Sequence, residues 1–319
     1  MMNLNWDLFE SRYHEIIPCF DLFLKSLNEA LPIGLRENQI GDKIYSLEKK
    51  LKLMDIDYRR PYNLFNFYEV EGERKVWGGD IDHHLGHYFM QALSSLIPVE
   101  VLDPQKNENV LDMCSAPGGK SAFIAEKMQN LGKLVCCEPD LGRRRVLKSN
   151  LYRMGVCNQY IFAGKGQDLE VKDESFDKIL CDVPCSSEGT LRNEVIIGKK
   201  RRENNYLEYN RDFRKSLHKV QKELLNKAYK LLRPGGVIVY STCTYDPDEN
   251  EGQISQFIRE NDNCSIVPLD LPAEIDMKLV PGLTYYKNEL HEDLIHSRRM
   301  YPHKFNSIGF YVAKIIKQK

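Results

Sequence analysis

Features that would place this 319-residue chain in a specialised class of protein are missing from its sequence. No apolar run approaches the roughly 18 residues that suggest a membrane-spanning helix. The N-terminus has neither a basic stretch followed by an apolar core nor an arginine-rich, acid-poor presequence, so no targeting segment is predicted. Internal repeats and low-complexity stretches are also missing. These absences favour a globular protein without a membrane partner, long enough for one large domain and a smaller one.

The nine cysteines lack the spacing of a metal site or a disulfide framework. Their number is odd, two of them are adjacent, and no CxxC pair occurs, so we expect neither disulfides nor a zinc cluster. The histidines at positions 83, 84 and 87 have no matching carboxylate or cysteine pattern, so they are expected to be loop residues and no metal is predicted. Free thiols favour a reducing compartment. We expect the cytoplasm, with an organelle interior or the nucleolus left open.

The chain also has no excess of positive charge, because its 45 basic residues are balanced by 46 acidic ones. A nucleic-acid partner would therefore depend on local basic patches. One patch, with asparagine and tyrosine interleaved, precedes the long helix predicted at 215–232, and this mixture suits phosphate contacts and base stacking. The alternative is a solvated charged loop. The candidate residues are Lys199, Lys200, Arg201, Arg202, Arg211 and Arg214.

The first part of the chain mixes helical and strand patterns. Apolar residues at helical spacing predict one helix over residues 6–30 and another over 43–53. Residues 64–70 and 74–77 are predicted to be the two strands of a hairpin. A further helix is predicted over 87–96.

After residue 84, predicted strands alternate with predicted helices. This alternation is typical of an α/β domain with a doubly wound, mostly parallel sheet. We expect that domain to span residues 85–319, after a small α+β N-terminal region of residues 1–84. The strands are predicted at 109–113, 133–137, 159–163, 176–182 and 237–241, with later ones at 264–269 and 310–316.

A glycine-containing loop follows the first of these strands, where open α/β sheets bind their ligands. Gly118 and Gly119 would let the backbone approach a ligand closely. The spacing fits neither a GxGxxG fingerprint nor a phosphate P-loop, and the alternative is a tight strand-to-helix turn. Glu138 ends the second strand, where a carboxylate can accept both hydroxyls of a ribose. The candidate ligand contacts in the loop are Cys114, Ser115, Ala116, Pro117, Gly118, Gly119 and Lys120.

Two cysteines directly follow buried strands. Cys185 lies in Asp-Val-Pro-Cys-Ser (182–186), and Cys243 lies in Ser-Thr-Cys-Thr (241–244). A thiolate that adds to carbon 6 of a pyrimidine makes carbon 5 nucleophilic enough to accept a methyl group from a sulfonium. The pattern therefore indicates methyl transfer to carbon 5, with Asp182 holding the amino group and ring nitrogen of a cytosine. For any single cysteine the alternative is an inert buried thiol. We expect the remaining cysteines to be packing residues of this kind: Cys114, Cys136, Cys137, Cys157, Cys181 and Cys264.

Together these motifs resemble those of the Nop/Sun family of RNA cytosine-5 methyltransferases. The resemblance rests on residues 112–121, on 182–186, and on Arg-Pro-Gly-Gly and Tyr-Ser-Thr-Cys-Thr within 233–244, and weaker matches extend it over nearly the whole chain. It implies a Rossmann-like fold, S-adenosylmethionine as cofactor, Cys243 as the covalent nucleophile, and Cys185 as the residue that assists product release. DNA cytosine methyltransferases place the nucleophile in the Pro-Cys motif, so Thr-Cys at 242–243 favours the RNA arrangement.

The resemblance also implies further contacts. Arg143 and Asp182 would line the cofactor and target-base pocket. The acid that the family carries after its third strand is displaced here, and Asp168 is assigned to the adenine in its place; the alternative is a solvated loop acid. The target cytosine is expected to leave any base stack before it reacts.

The sequence leaves several alternatives open. An amino-group methyltransferase would have no use for Cys243. A non-catalytic RNA-binding ribosome-assembly factor with the same fold would not need both motif cysteines. The RNA is expected to be ribosomal RNA or a tRNA, selected by the N-terminal region, the basic connection or a protein partner.

Overall fold

The computed structural model describes residues 6–41, 45–62, 65–71, 74–192 and 211–318. Its residues group into two compact units, each assembled from separate stretches of the chain. The first unit comprises Met1–Leu31, Val183–Asn226 and Tyr240–Ile316, and the second comprises Pro32–Asp182, Lys227–Val239 and Lys317–Lys319. The domain boundary near residue 84 stays a prediction. Over the described ranges, no helix has both the length and the apolar character needed to cross a bilayer.

The regular elements are as follows. The helices are α1 (Trp6–Tyr13), α2 (Phe20–Leu27), α3 (Leu47–Leu53), α4 (Arg74–Gly79), α5 (Ile81–His84), α6 (Ile97–Leu102), α7 (Gly119–Lys127), α8 (Leu141–Arg153), α9 (Arg211–Leu231), α10 (Glu251–Glu260), α11 (Ala273–Asp276) and α12 (Pro302–Phe305). The strands are β1 (Ile33–Glu37), β2 (Tyr58–Arg59), β3 (Phe67–Val70), β4 (Tyr88–Met90), β5 (Asn109–Asp112), β6 (Lys133–Cys137), β7 (Gln159–Phe162), β8 (Phe176–Asp182), β9 (Leu232–Thr242), β10 (Cys264–Val267), β11 (Val280–Pro281), β12 (Tyr285–Tyr286), β13 (Asn288–Glu289), β14 (Arg298–Met300) and β15 (Phe310–Lys317).

The second unit contains a parallel sheet whose winding reverses at β5. This strand pairs in parallel with β6 on one side and with β8 on the other, and β7 pairs in parallel with β6. The order β7–β6–β5–β8 is that of a doubly wound sheet, in which the crevice for ligands opens at the carboxyl ends of the strands on either side of the reversal. Val110, Leu111 and Ile179 are fully buried, as expected of strands covered on both faces. The predicted fold class is confirmed.

A smaller antiparallel sheet, in the order β2–β3–β1–β4, lies in the same unit. Its apolar face buries Leu35, Tyr68 and Val70 together with Leu51 of α3 and Trp77 of α4. A small mixed α/β arrangement therefore precedes the parallel sheet along the chain.

The first unit contains an antiparallel arrangement in which β14 pairs with β11 and β15, and β10 also pairs with β15. Its core includes an aromatic cluster in which Phe9 and Tyr13 of α1 and Phe23 of α2 pack with Tyr245 and Tyr301. Tyr245 lies two residues after Cys243. The N-terminal helices are thus part of the core beside that cysteine.

The single helix predicted over residues 6–30 is wrong. α1 ends at Tyr13 and α2 starts at Phe20. Pro18 lies between them, and a proline in a helix interior removes a backbone donor and clashes with the preceding turn. Cys19 adopts a left-handed conformation, which completes the break.

The hairpin predicted for residues 64–70 and 74–77 is also wrong, because Arg74–Gly79 is a helix. Both edges of β3 are already occupied: Val70 pairs with Ile33 of β1 and with Tyr58 of β2. A strand at 74–77 would have no free edge to pair with. Partners distant in sequence therefore overrode the local turn signal.

The helix predicted over residues 87–96 is replaced by three short elements. Tyr88–Met90 forms β4, which pairs with β1, and Leu93–Ser95 is a 3₁₀ turn before α6. Pro98 stands in the first turn of α6, where a proline is tolerated. The apolar residues at helical spacing belong to different elements, a buried strand and the turn that leads into a later helix, so their spacing does not mark one helix.

Two glycines that share the same φ angle but differ in their surroundings allow the effect of packing to be separated from that of backbone strain. Gly86 and Gly41 both have a φ of +76°, but a Cβ on Gly86 would overlap the carbonyl of Arg153, whereas a Cβ on Gly41 would meet nothing within 4 Å. We expect Gly41→Ala to cost about 1 kcal/mol of unfolding free energy, from backbone strain alone. Gly86→Ala should cost roughly 3–5 kcal/mol, because the backbone must also move. Chemical denaturation of the two variants measures the difference, and equal losses would contradict the structure.

Candidate active site

A cavity of about 190 Å³ opens at the carboxyl ends of β5 and β8 in the second unit. These strands flank the reversal of the sheet, where a ligand site is expected. The walls come from β4 and the turn after it, from the loop after β5, and from the last residue of β8. The lining residues are Phe89, Met90, Gln91, Ser95, Asp112, Cys114, Ser115, Ala116, Pro117, Gly119, Lys120 and Asp182.

Asp112 anchors the loop that forms one wall of the cavity. Its carboxylate accepts hydrogen bonds from Ser121 Oγ at 2.7 Å and from the Cys114 amide at 3.3 Å. Burial raises the pKa of Asp112 to about 6. The loop is thus held at both ends by one side chain.

The glycines of this loop are required by its geometry. Gly118 has a φ of +106°, and a Cβ on Gly119 would lie 2.8 Å from Gln91 Oε1 and 2.9 Å from the Phe89 ring. The loop is also held from α8, because Asn150 donates to Pro117 O at 2.8 Å and Arg143 donates to Ala116 O at 2.9 Å. Arg143 therefore fixes the backbone of the loop.

Lys120 and Asp182 face each other in the cavity, with Lys120 Nζ 2.8 Å from Asp182 Oδ2. Both side chains are partly exposed, at 17% and 24%. The pair places one cation and one carboxylate where a polar ligand can reach both.

Gln91 also lines the cavity, and sequence reasoning missed it. Both polar atoms of its amide are buried without a hydrogen-bond partner within the described part of the chain. Because a buried amide without a partner is costly, this side chain is suited to bind a polar ligand. The helix predicted over 87–96 concealed it, since nothing in the sequence marks Gln91 as facing a cavity.

Glu138 and Asp168 are not among the residues that line the cavity. Glu138 ends β6 as predicted and is 2% exposed. Its carboxylate accepts from the Asp140 amide at 2.9 Å and lies 3.4 Å from Arg143. Asp168 ends a 3₁₀ turn after β7 and is exposed. The roles assigned to these two acids stay predictions.

In the first unit, the two motif cysteines lie together. Cys185 Sγ and Cys243 Sγ are 3.4 Å apart and share a hydrogen bond, and the Cys243 thiol also donates to Ser187 Oγ at 3.5 Å. The hydrogen bond to Cys243, together with burial and the charge of Glu249, raises the pKa of the Cys185 thiol well above its usual value. Cys185 is therefore held as a protonated thiol at neutral pH.

Two buried residues after the Cys243 loop hold both cysteine loops, and sequence reasoning missed them too. Asn250 accepts from Thr242 Oγ1 at 2.6 Å and donates to Thr244 O at 3.1 Å, so its amide bridges the residues on either side of Cys243. Glu249 accepts from the amide of Ser186, next to Cys185, at 3.0 Å. Gln221 of α9 steadies the arrangement by donating to Glu249 at 2.8 Å. Asn250 and Glu249 are fully buried.

The basic patch is only partly within the described residues. Lys199, Lys200, Arg201 and Arg202 lie outside them, and Arg211 is described only as the first residue of α9. Arg214 requires a correction: its side chain is 6% exposed and its guanidinium pairs with Glu188 and Asp246. Because these contacts occupy the guanidinium inside the protein, Arg214 is not a phosphate contact.

The remaining cysteines follow the prediction with one exception. Cys136, Cys137, Cys181 and Cys264 are buried, and all of the described cysteines are free thiols. Cys157 is exposed, so its assignment to packing is wrong. Over the same part of the chain, no group of three histidine, cysteine or acidic side chains is arranged to hold a metal.

The buried carboxyl of Glu249 makes stability depend on pH. Burial and the charge of Asp246 raise its pKa from 4.5 to about 7, so the folded protein holds a proton there that the unfolded chain has lost. The free energy of unfolding should therefore fall as the pH rises from about 4.5 to about 7, and that contribution should level off above 7. We expect Glu249→Gln to flatten this slope in urea denaturation, while Glu274→Gln, at an exposed position, leaves it unchanged. Identical slopes in wild type and Glu249→Gln would contradict this assignment.

Comparison with known proteins identifies the family. The profile of the family described as 16S rRNA methyltransferase RsmB/F matches residues 99–316. A tRNA (cytosine(49)-C(5))-methyltransferase from Pyrococcus abyssi is 30% identical over 92% of this chain and 90% of its own length. The 26S rRNA (cytosine-C(5))-methyltransferase nsun-1 of Caenorhabditis elegans is 33% identical over 92% of this chain but only 43% of its own length. The chain thus spans about two fifths of the length of its animal relatives.

Solved structures agree with this comparison. A methyltransferase homologue from Pyrococcus horikoshii superposes with a TM-score of 0.80 at 30% sequence identity, covering 97% of this chain and 94% of that one. The family profile covers more than half of the chain, and the resemblance inferred from the motifs is confirmed. The chain therefore belongs to the RsmB/F family of methyltransferases.

Proposed function

We propose that this chain is an S-adenosylmethionine-dependent methyltransferase that modifies carbon 5 of a cytosine in ribosomal RNA or tRNA. The observation that carries the proposal is the pair of thiols, Cys185 and Cys243, whose sulfurs are 3.4 Å apart. Relatives named as rRNA and tRNA cytosine-5 methyltransferases support the substrate class. A methyltransferase that acts on an amino group needs no such pair, because its acceptor atom already carries a lone pair of electrons.

The cavity in the second unit fits a cofactor of this kind. The unpartnered amide of Gln91 offers a donor and an acceptor, and the loop after β5 brings backbone to the cavity wall at Gly119. We assign cofactor binding to residues 114–120, with Glu138 as the acceptor for ribose hydroxyls. Arg143 acts here by fixing the loop through Ala116 O.

The chemistry of the proposal starts at Cys243. Its thiolate adds to carbon 6 of the cytosine, and the electrons of the ring double bond become available at carbon 5. S-adenosylmethionine supplies, when bound, a methyl group on a cationic sulfur that such a carbon can accept. We assign Asp182 to the amino group and ring nitrogen of the cytosine.

Release of the product needs a proton. As the bond between Cys243 and carbon 6 breaks, Cys185 donates its proton to the departing sulfur, and the proton that leaves carbon 5 restores the Cys185 thiol. Cys185 is suited to this role because its sulfur contacts that of Cys243 and because its raised pKa keeps it protonated until then.

For RNA binding we retain the basic residues that precede α9, together with the first residue of that helix. Lys199, Lys200, Arg201, Arg202 and Arg211 are proposed to contact phosphates, which would make binding weaken as salt concentration rises. Arg214 is left out because it is paired inside the protein.

Removal of the nucleophile should abolish the reaction. We expect Cys243→Ala to lower methyl transfer to RNA by a factor on the order of 10³ or more, because no other group can form the adduct. Incorporation of tritiated methyl groups into unmodified tRNA and rRNA measures the loss. The matched control, Cys157→Ala, changes an exposed cysteine and should retain full activity. Unchanged methyl transfer by Cys243→Ala would exclude the mechanism.

Removal of the second thiol should instead stall the reaction after the adduct has formed. We expect Cys185→Ala to accumulate a covalent RNA–protein complex on denaturing gels, because the departing Cys243 sulfur is no longer protonated. The double variant Cys185→Ala/Cys243→Ala should form no complex. Normal turnover by Cys185→Ala without any complex would remove the proposed release role.

A further inference from the structure

Four charged side chains in the first unit form a closed arrangement around the cysteine loops. Glu188 follows Cys185 by three residues, and Asp246 follows Cys243 by three residues. Both acids are almost fully buried, at 2% and 1% exposure. Each cysteine loop therefore carries a buried carboxylate at the same distance along the chain from its thiol.

Two arginines bridge these two acids. Arg12 of α1 lies 3.0 Å from Glu188 Oε1 through one guanidinium nitrogen and 3.0 Å from Asp246 Oδ2 through the other. Arg214 of α9 pairs with the same two oxygen atoms from a second direction. Each carboxylate thus meets two cations, and each guanidinium spans both loops.

Further hydrogen bonds connect the loops at the same place. Ser186 Oγ and Thr244 Oγ1 lie 2.7 Å apart, which links the residues that directly follow the two cysteines. Tyr13 donates its hydroxyl proton to Glu188, so α1 contributes a second contact. Burial lowers the pKa of Arg12, but the neighbouring carboxylates of Glu188 and Asp246 outweigh this effect and the pKa is raised above its usual value, as expected of an arginine that stays charged.

The arginines remove the electrostatic obstacle to a close approach of the two loops. Without them, two buried carboxylates on facing loops would repel each other and would lack solvation. A guanidinium holds two oxygens at once in a planar fork, so it fixes their separation, whereas a lysine ammonium acts as a single point charge. The arrangement therefore stabilises the close approach of the two loops, in addition to the backbone hydrogen bond from Gly189 N to Cys243 O.

We propose that Arg12 and Arg214 are positioning residues for the thiol pair: by bridging Glu188 and Asp246 they hold the sulfurs of Cys185 and Cys243 at contact distance. The catalytic consequence rests on the function proposed above, but the positioning itself does not. It also gives α1 a role in the geometry of the active site in addition to its place in the aromatic core.

Disulfide formation measures the separation of the thiols without reference to activity. The oxidant diamide takes two electrons and two protons from a pair of neighbouring thiols, becomes a hydrazine, and leaves a sulfur–sulfur bond. The rate for Cys185 and Cys243 can be followed by peptide mass spectrometry, well below the unfolding temperature. We expect rapid formation in the wild type and a rate at least tenfold lower in Arg214→Met.

Conservative and control variants separate positioning from general stability. Arg214→Lys should restore folding stability more than it restores the disulfide rate, because a lysine cannot bridge both carboxylates. Arg298→Met removes an arginine of the same unit that pairs with Asp276, and should leave the disulfide rate unchanged. In steady-state methylation, Arg214→Met should lower kcat in step with the disulfide rate while KM for RNA changes little.

The proposal fails if Arg214→Met is less stable but forms the disulfide at the wild-type rate. If that variant does not fold, Arg12→Lys takes its place, with the same expectation of a slower disulfide and the same contradicting result. If Arg214→Met forms the disulfide more slowly but the wild type does not methylate RNA, the positioning role is supported and the proposed function is overturned. Normal methylation by the wild type, with a disulfide rate that Arg214→Met leaves unchanged, would support the proposed function and overturn the positioning role.

Discussion

Buried carboxylates constrain the first unit more than any other feature. Glu188, Asp246, Glu249 and Glu251 are removed from water within or beside the two cysteine loops, and each must find a cation or a hydrogen-bond donor inside the protein. The partners come from distant parts of the sequence. Arg12 comes from the N-terminus, Arg214 and Gln221 come from α9, and Arg299 of β14 pairs with Glu251. The two cysteine loops are held in place because their buried carboxylates, which water cannot solvate, are bound by these internal partners.

This constraint accounts for the different character of the two sites. The cavity in the second unit is shaped by backbone, through Asp112, the glycines of the loop after β5 and the amides of that loop. The thiol site is shaped by side chains whose charges compensate one another. Backbone-built sites leave local patterns in a sequence, whereas a charge network assembled from distant residues does not.

In both units the sequence predicted local features and missed those that depend on distant residues. Strands β6 and β8 have the predicted bounds, and the strand ends identify Asp182, Cys185 and Cys243, because strand and turn signals are local. Sequence reasoning missed Asn250 and Gln91, and it took Arg214 for an RNA contact. In all three, the role of the side chain depends on atoms that only the folded chain brings near, so residue type and spacing carry no signal.

The same limit explains two of the three incorrect elements in the first hundred residues. The pairing of β3 on both edges excluded the predicted hairpin, and the pairing of β4 with β1 replaced a predicted helix. Both outcomes involve β1, and the first also involves β2, so each depends on strands earlier in the chain. Short strands in small antiparallel sheets depend on such partners more than on their own propensity.

The central claim is that Cys243 forms the covalent bond to the target base. An RNA substrate that carries 5-fluorocytosine tests it directly, because fluorine at carbon 5 cannot leave as a proton does and the adduct is retained. Digestion of the trapped complex and mass spectrometry of its peptides then locate the modified residue. We expect the nucleotide to be attached to Cys243. Attachment to Cys185, or no adduct with an RNA that the protein methylates in its unmodified form, would contradict it.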